Sequence, residues 1–324
     1  MIDQIAHQLK ASNRLLLTSH TNPDGDAVSS MLALGLALKK IDKDIVWLNE
    51  SPIPAVYRFL PSVDRISQTA DTHQPFDVAV VMDCGDTERI GCAAAVIEMA
   101  PTVVNIDHHA TNTGFGNLRY VDPTACATAE LVYRLLGEMG ISLDQDIATA
   151  IYTGILTDTG SFRFSNTNSA AFAICTEMTA LGVDPYDIAQ HVYGPYPLER
   201  IKLLNLALDS IEISANRKLS IMTVTQAMLN QTGTQQEDVD GLIHYARRIQ
   251  NVKVAALIQE LRNGNEPAGS QGQFHVSLRS DGAVDVAAIA TGYGGGGHRT
   301  AAGFGMKASL AEVKYEIAAL AEKL

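Results

Sequence analysis

The chain has 324 residues, 46% of them hydrophobic and 19% charged, with a formal net charge of −12 at pH 7. That length holds one large or two medium domains with their own cores, and the acidic balance argues against a protein that grips long duplex nucleic acid through a basic face. No apolar run approaches the roughly 18 residues that suggest a membrane span. The start, Met1-Ile2-Asp3-Gln4, lacks the basic and apolar regions of a secretory leader. The four cysteines (84, 92, 126 and 175) show no C-x-x-C spacing, which points to a cytoplasmic chain with reduced thiols and no membrane partner.

Up to about residue 160, strand and helix signals alternate. Arg14-Leu15-Leu16-Leu17-Thr18-Ser19 is a short apolar run ending in a turn. A helix is expected over roughly 27–40, where Val28, Met31, Leu32 and Leu36 fall at helical spacing and Gly35 suits close packing on a sheet. Residues 45–48, 78–82 and 102–106 are continuously apolar rather than alternating, the pattern of parallel strands covered on both faces. From 128 to 193 the pattern is mostly helical, with turn signals at Gly140, Gly160 and Gly182-Val183-Asp184-Pro185. Gly194-Pro195-Tyr196-Pro197 reads as a break, and 198–213 as a connecting helix. Beyond it, 219–224, 252–258 and 274–279 read as strands, the last two joined by a Gly/Asn-rich loop, and an amphipathic helix begins near Leu310. The expected architecture is an α/β protein: a doubly wound parallel-sheet domain over 1–193, a linker or connecting helix over 194–215, and a smaller α+β domain over 216–324.

Four polar segments interrupt this apolar framework: Ser19-His20-Thr21-Asn22-Pro23-Asp24-Gly25-Asp26, Met82-Asp83-Cys84-Gly85-Asp86, Ile106-Asp107-His108-His109 and Leu156-Thr157-Asp158-Thr159-Gly160. His20, Asp83 and Asp107 are expected at the ends of strands, and ligands of open α/β sheets bind outside the carboxyl ends of strands. Asp24 and Asp26 lie two apart in a Pro/Gly turn before a helix, so they can serve neighbouring ions or simply cap the helix. Adjacent ionisable residues such as Asp107, His108 and His109 are costly at a buried strand end unless their charges are compensated, which a metal does most simply. Asp158 taken alone reads as a helix-terminal residue, and Cys84 as a small filler. Hard oxygen donors with a few imidazoles favour Mn²⁺ or Mg²⁺, with Fe²⁺ and Co²⁺ also suited.

A second candidate site is Gly292-Tyr293-Gly294-Gly295-Gly296-Gly297-His298-Arg299. It matches G-x-G-x-x-G literally, but the residues before it read as a helix rather than a strand, so the dinucleotide-binding reading fails. A glycine run lets backbone N–H groups approach an anion, with His298 and Arg299 supplying charge-assisted bonds and Arg279 placed to join them. A flexible linker is the alternative.

In order, His20-x3-Asp24-x-Asp26, Asp83, Asp107-His108-His109 and Asp158 resemble the four motifs of the DHH phosphoesterase superfamily, and the glycine-His segment resembles its DHHA1 substrate-binding domain. The resemblance covers nearly the whole chain and implies the group of bifunctional oligoribonucleases and 3′-phosphoadenosine 5′-phosphate (pAp) phosphatases. It implies two divalent metals, one held by His20, Asp24 and Asp83 and the other by Asp26, Asp83, His108 and Asp158, with Asp83 bridging. It further implies that Asp107 orients its histidine neighbours, that His109 meets the scissile phosphate, and that Arg279, Gly295, Gly296, Gly297, His298 and Arg299 bind the rest of the substrate, short RNA or pAp. Ser29 stands where many relatives have glycine, a departure that touches no ligand. Other readings are a cyclic or linear dinucleotide phosphodiesterase, a RecJ-like single-strand exonuclease, a family II pyrophosphatase, or a nucleotide sensor without turnover. The sequence is compatible with a homodimer but does not require one.

Overall fold

The computed structural model describes residues 1–70, 74–261 and 272–324, and of His298 the backbone alone. The Gly/Asn-rich loop expected after residue 258 lies almost wholly outside the described residues. The chain divides into two compact units, Met1–Gly194 and Pro195–Leu324.

The first unit runs α1 (Ile2–Ala11), β1 (Arg14–Thr18), α2 (Gly25–Lys39), β2 (Asp44–Leu48), β3 (Ile66–Ser67), β4 (Val78–Met82), α3 (Ala93–Ile97), β5 (Val103–Asp107), β6 (Leu118–Val121), α4 (Thr128–Glu138), α5 (Gln145–Asp158), α6 (Ser169–Ala180) and α7 (Pro185–Tyr193). Its strands lie in the order β3-β2-β1-β4-β5-β6, and every pairing is parallel. The continuous apolar runs follow from burial on both faces. Leu15, Leu17, Val78, Val80 and Met82 point to the side that packs α1, α2, α4 and α5. Their sequence neighbours Leu16, Ala79 and Val81 point to the side covered by Ile90, Ala93 and Ile97. Strand order reverses between β1 and β4, which opens a crevice at the carboxyl edge.

Close helix packing depends on small residues. A Cβ added at Gly35 of α2 would stand 2.3 Å from Trp47 Nε1 on β2, and that indole N–H donates to the Met31 carbonyl at 2.9 Å. At Gly154 of α5 a Cβ would lie 2.7 Å from Ala129 Cβ and 3.0 Å from Asp26 Oδ1. α5 can therefore approach the motif-bearing start of α2 only because that position has no side chain.

The second unit contains α8 (Leu198–Asp209), β7 (Glu212–Ile213), β8 (Leu219–Val224), α9 (Gln226–Thr232), α10 (Ile243–Arg247), β9 (Val254–Glu260), β10 (Gly272–Ser280), α11 (Val286–Thr291), β11 (Gly296–His298), β12 (Ala301–Ala308) and α12 (Leu310–Ala319). Its sheet has the order β11-β12-β10-β9-β8-β7, with β8 and β9 parallel and the other pairs antiparallel. One face, including Ile221, Ala256, Val276 and Leu278, packs on Val286 of α11 and on Val313 and Ile317 of α12. The other, including Met222, Val224 and Leu257, packs on α8, α9 and α10 through Leu203, Leu229 and Ile243. The helix expected as a connector thus contributes Leu203 and Ala207 to this unit's core.

Two departures from the sequence reading are informative. The segment from the glycine run to Ala308 forms the pair β11 and β12, with β12 registered along β10 from Gly272↔Ala308 to Arg279↔Ala301. Glycine and alanine have low strand propensity and leave no alternation to see, so pairing to β10 decides the conformation. In the first unit the edge strands β3 and β6 have two and four residues, too short to show a period.

Gly35→Ala is expected to destabilise the first unit by about 1–3 kcal/mol through overpacking against Trp47, although alanine is the better helix former by about 1 kcal/mol. Trp47 is the single tryptophan of the chain, so its fluorescence during urea unfolding reads this unit. An unchanged or raised midpoint would contradict the packing argument.

Candidate active site

The carboxyl edge of the first sheet collects the motif residues. His20 follows β1 by two residues rather than one, Asp83 follows β4 directly, and Asp107 is the last residue of β5. Asp83 has φ +53, a left-handed conformation that aspartate tolerates better than most residues. Its N–H stays tied to the Ile106 carbonyl at 2.9 Å, so the turn swings its side chain into the crevice while the backbone remains attached to β5. Asp158 is the last residue of α5.

Asp24 caps α2: its Oδ1 accepts from Asp26 N–H and Ala27 N–H, both at 3.1 Å. Capping and ligation do not compete, because the same carboxylate lies with His20 and Asp83 in a group whose candidate ligand atoms are within 4.8 Å of one another. Among the described residues two further groups meet that limit, Asp26-His108-Asp158 and Asp83-His108-His109. Asp83 is shared by two groups and stands 3.8 Å from His20 Nε2 through Oδ2 and 3.7 Å from His108 Nε2 through Oδ1. His108 Nε2 is also 3.6 Å from Asp158 Oδ2.

The imidazoles are aimed from behind. His20 Nδ1 meets the Thr21 carbonyl at 2.8 Å and His108 Nδ1 the Ala125 carbonyl at 3.3 Å. Each carbonyl can only accept, so an N–H sits on Nδ1, and Nε2 is left as the nitrogen that faces the carboxylates and could ligate a metal. Asp26 is fully enclosed and accepts from Thr128 N–H at 2.6 Å, Ala129 N–H at 2.9 Å and the Ser30 hydroxyl at 3.1 Å. The first two donors open α4, where the helix dipole also favours negative charge. The Thr128 hydroxyl donates to Asp83 Oδ1 at 2.9 Å.

Titration reflects this crowding. Burial, then repulsion from Asp83, Asp158 and Asp24, push the Asp26 carboxyl well above its ordinary range. Burial raises Asp158 to about 7, with Asp24 and Asp83 adding to the rise and the two histidines opposing it. Burial would depress His109, but its hydrogen bond to Asp107 at 2.6 Å and the charges of Asp83, Asp107 and Asp158 raise it to about 9. Burial alone would raise Asp107; the bond and charge of His109, together with the Asn112 amide, hold it below the usual carboxylate range.

Sequence reasoning missed Asn105 and Asn112. Asn112 Nδ2 donates to Asp107 Oδ2 at 2.6 Å and to Asn105 Oδ1 at 2.8 Å. Asn105 in turn donates to the carbonyls of Cys84 at 3.1 Å and Val81 at 3.3 Å. This chain of amides ties the end of β4 to the triplet. Asn105 sits inside an apolar strand, and a polar residue in such a run was the available signal. Cys84 is buried in the apolar layer under α3 and bonds the Asp86 carbonyl, as its reading as a filler requires. The donors are therefore carboxylate oxygen and imidazole nitrogen, a set that fits divalent metal ions.

The second unit supplies the other predicted residues. Arg279 lies on β10, and its guanidinium donates to the Leu278 carbonyl at 3.0 Å. Burial and Arg247 lower its pKa while Asp240 opposes them. Arg279 in turn helps to lower His275 and His244, in both of which burial is the larger cause. His244, Arg247 and His275 were not singled out from the sequence, although His244 and Arg247 sit in a visibly basic stretch. Arg299 instead donates from Nε to the Gly282 carbonyl at 3.0 Å, which ties it to the turn after β10. The glycine run has a steric cause in two places: a Cβ at Gly295 would stand 2.2 Å from the Gly303 carbonyl oxygen, and one at Gly297 2.5 Å from that of Ala301. The N–H groups of Gly294 and Gly295 are spent on Thr291 and Ala290 at the end of α11. Gly296, Gly297 and His298 are themselves paired with β12 as β11, so the run is part of the sheet and not a flexible linker.

Comparison with known proteins agrees with this geometry. Residues 14–155 match the N-terminal domain of the DHH family and residues 219–324 the DHHA1 domain. The chain is 32% identical to the bifunctional oligoribonuclease and PAP phosphatase NrnA of Thermus thermophilus, over 96% of this chain and 90% of that protein. It is 26% identical to the protein of the same name from Bacillus subtilis, over 94% and 92%. An exopolyphosphatase-related protein from Bacteroides fragilis superposes with a TM-score of 0.87 at 26% identity, covering 98% of this chain and 94% of that one. Among the described residues no helix is long and apolar enough to cross a membrane.

The raised groups set the pH dependence of the metal-stripped protein. Asp158 rises from 3.8 to about 7 and His109 from 6.5 to about 9. Groups raised on folding stabilise below their unfolded pKa and lose that contribution as pH climbs through the folded one. The stripped protein is therefore expected to melt several degrees higher at pH 6 than at pH 9, and saturating Mn²⁺ to reverse the order by favouring the ionised carboxylates. Thermal melts at both pH values check this; a stripped protein that gains stability between pH 6 and 9 would contradict it.

Proposed function

Because the chain belongs to the DHH family and carries its DHHA1 domain, we propose that it is a phosphoesterase cleaving short oligoribonucleotides to mononucleotides and pAp to AMP. The single observation that carries this reading is the set of donor groups sharing Asp83 and His108 at one sheet edge. His20, Asp24 and Asp83 would hold one divalent ion; Asp26, Asp83, His108 and Asp158 would hold the other. The hard oxygen donors favour Mn²⁺, with Mg²⁺, Co²⁺ and Fe²⁺ as alternatives. Two such ions supply an activated water and neutralise charge on the phosphoryl oxygens.

The chain's own residues do the rest. His109 gives its Nδ1–H to Asp107, and in the metal-free protein that bond favours the protonated ring. Its Nε2–H is then available to a phosphoryl oxygen, whose growing charge in the transition state strengthens that bond. Asp107 acts through His109 by fixing the ring and holding the proton on it. Water adds to phosphorus as the ester P–O bond breaks, and the departing oxygen takes up a proton to leave as a hydroxyl. In the second unit, Arg279, Gly296, Gly297, His298 and Arg299 would bind the rest of the substrate, with Arg279 the main anion-pairing group, and Gly295, whose N–H is spent on Ala290, would shape the turn before them. The overall acidity of the chain suits short substrates and not long duplexes. The working place of such an enzyme is the cytoplasm.

With Mn²⁺ present, pAp and a diribonucleotide are expected to be hydrolysed faster than cyclic di-AMP, pyrophosphate or long single-stranded DNA. A substrate panel checks this, and preferential cleavage of the cyclic dinucleotide or pyrophosphate would overturn the assignment. Asp83→Asn keeps size and tolerance of the left-handed backbone but is expected to lower turnover at least about a hundredfold. Arg279→Ala is expected mainly to raise KM, by about tenfold or more, as a charge-assisted bond is lost. Steady-state kinetics separate the two effects.

A further inference from the structure

A half-buried amide reaches back to the crevice from the turn after α5. Asn166 lies eight residues beyond Asp158, yet its Nδ2 returns to Asp158 Oδ2 at 2.8 Å, and also meets the Cys126 carbonyl at 2.8 Å and the Asp158 carbonyl at 3.2 Å. The two carbonyls can only accept, so the NH₂ end of the amide must face them and the oxygen must point away. That oxygen, Oδ1, is buried with no hydrogen-bond partner among the described residues. A buried amide oxygen left in this way is unfavourable, so local folding alone does not account for the arrangement.

The intervening backbone is itself unusual. Gly160, Ser161 and Phe162 have φ of +56, +60 and +62, three consecutive residues in a conformation that side-chain-bearing residues adopt rarely. The turn is held by Ser161 N–H on the Leu156 carbonyl at 2.8 Å and Arg163 N–H on the Thr159 carbonyl at 2.9 Å. Phe162 N–H bonds the hydroxyl of buried Thr159 at 3.1 Å, and the Phe162 ring stacks on Phe172 with centroids 5.0 Å apart. This turn reverses the chain after α5 and carries Asn166 back to the carboxylate that α5 delivers.

We propose that Asn166 is a positioning residue for the metal centre, fixing the orientation of Asp158 by donating to Oδ2. The proposal rests on the two-metal reading of the site. Asp158 Oδ2 stands 3.6 Å from His108 Nε2, in the group Asp26-His108-Asp158. An NH₂ pinned between that oxygen, its own backbone carbonyl and Cys126 leaves the carboxylate one rotational setting. Asp26 and Asp24 are held by backbone N–H donors. Among the described residues no backbone N–H donates to the Asp158 carboxylate, and the Asn166 amide takes that role.

The test is Mn²⁺ binding without substrate, by calorimetry and electron paramagnetic resonance, on the full chain. Asn166→Ala is expected to weaken the weaker-bound Mn²⁺ about 10–100-fold, leaving KM for pAp near the parent value and kcat lower. In an Asp158→Ala background the same change should cost no further affinity, because the residue acts through Asp158. Asn166→Asp, which keeps the shape but loses the donor, should behave like the alanine variant. Metal-free melting temperatures and circular dichroism monitor the fold. Parent-like Mn²⁺ affinity in either Asn166 variant, additive losses in the double variant, or loss of the fold in both would overturn the proposal. If Asp158→Ala alone left Mn²⁺ binding untouched, the two-metal reading itself would fail, a separate outcome.

Discussion

Mutual repulsion among carboxylates is the constraint on which this site depends. Asp24, Asp26, Asp83, Asp107 and Asp158 converge on one sheet edge, and Asp26, Asp83 and Asp107 are almost wholly removed from water. Like charges at such separations disfavour one another's ionisation, and burial adds to the cost. The surrounding fold offsets part of it. The start of α4 gives two N–H donors to Asp26, the Thr128 hydroxyl serves Asp83, and the Asn112 amide and the His109 ring serve Asp107. What remains is the raised titration of Asp26 and Asp158, a deficit of positive charge that divalent cations are suited to supply.

Placement follows from sheet topology. In a parallel sheet of order β3-β2-β1-β4-β5-β6 the ends of β1, β4 and β5 are neighbours, so polar residues 63 and 24 positions apart in sequence become adjacent. α5 reaches the same point because Gly154 lets it pack tightly on Ala129 and Asp26. A structural support stands behind the cluster as well. Buried Glu130 of α4 accepts from Cys126 N–H at 2.7 Å and pairs with Arg134, which also bonds Asp122 at 2.8 Å. That network fixes the loop leading into α4, and with it the N-terminal donors on which Asp26 relies.

Much of the first unit was legible because its signals are local and strong. The run at 78–82 and the helix beginning near 27 are set by continuous burial and by helical spacing, and both appear within about two residues of their expected bounds. His20, Asp83 and Asp107 stood out for the same reason: a charged residue at the end of an apolar strand has few structural explanations, whereas Asp158, alone a helix-terminal residue, became a candidate only beside the other motifs. What stayed hidden depends on contacts distant in sequence. Asn112 and Asn105 look like ordinary loop and strand residues until the fold brings them to Asp107. In the second unit β12 is an Ala/Gly strand made by pairing to β10, and the glycine run owes Gly295 and Gly297 to close backbone approach. Of the basic neighbours of Arg279, His244 and Arg247 come from α10, 32 or more positions upstream, which no local pattern reveals.

The most direct test of the account is to locate the metals. Crystals of the full chain grown with Mn²⁺ and measured by anomalous diffraction should show two peaks in the first unit, one among His20, Asp24 and Asp83 and one among Asp26, His108 and Asp158, with Asp83 touching both. A single peak, or two peaks that do not share Asp83, would contradict the two-metal centre from which the proposed chemistry follows.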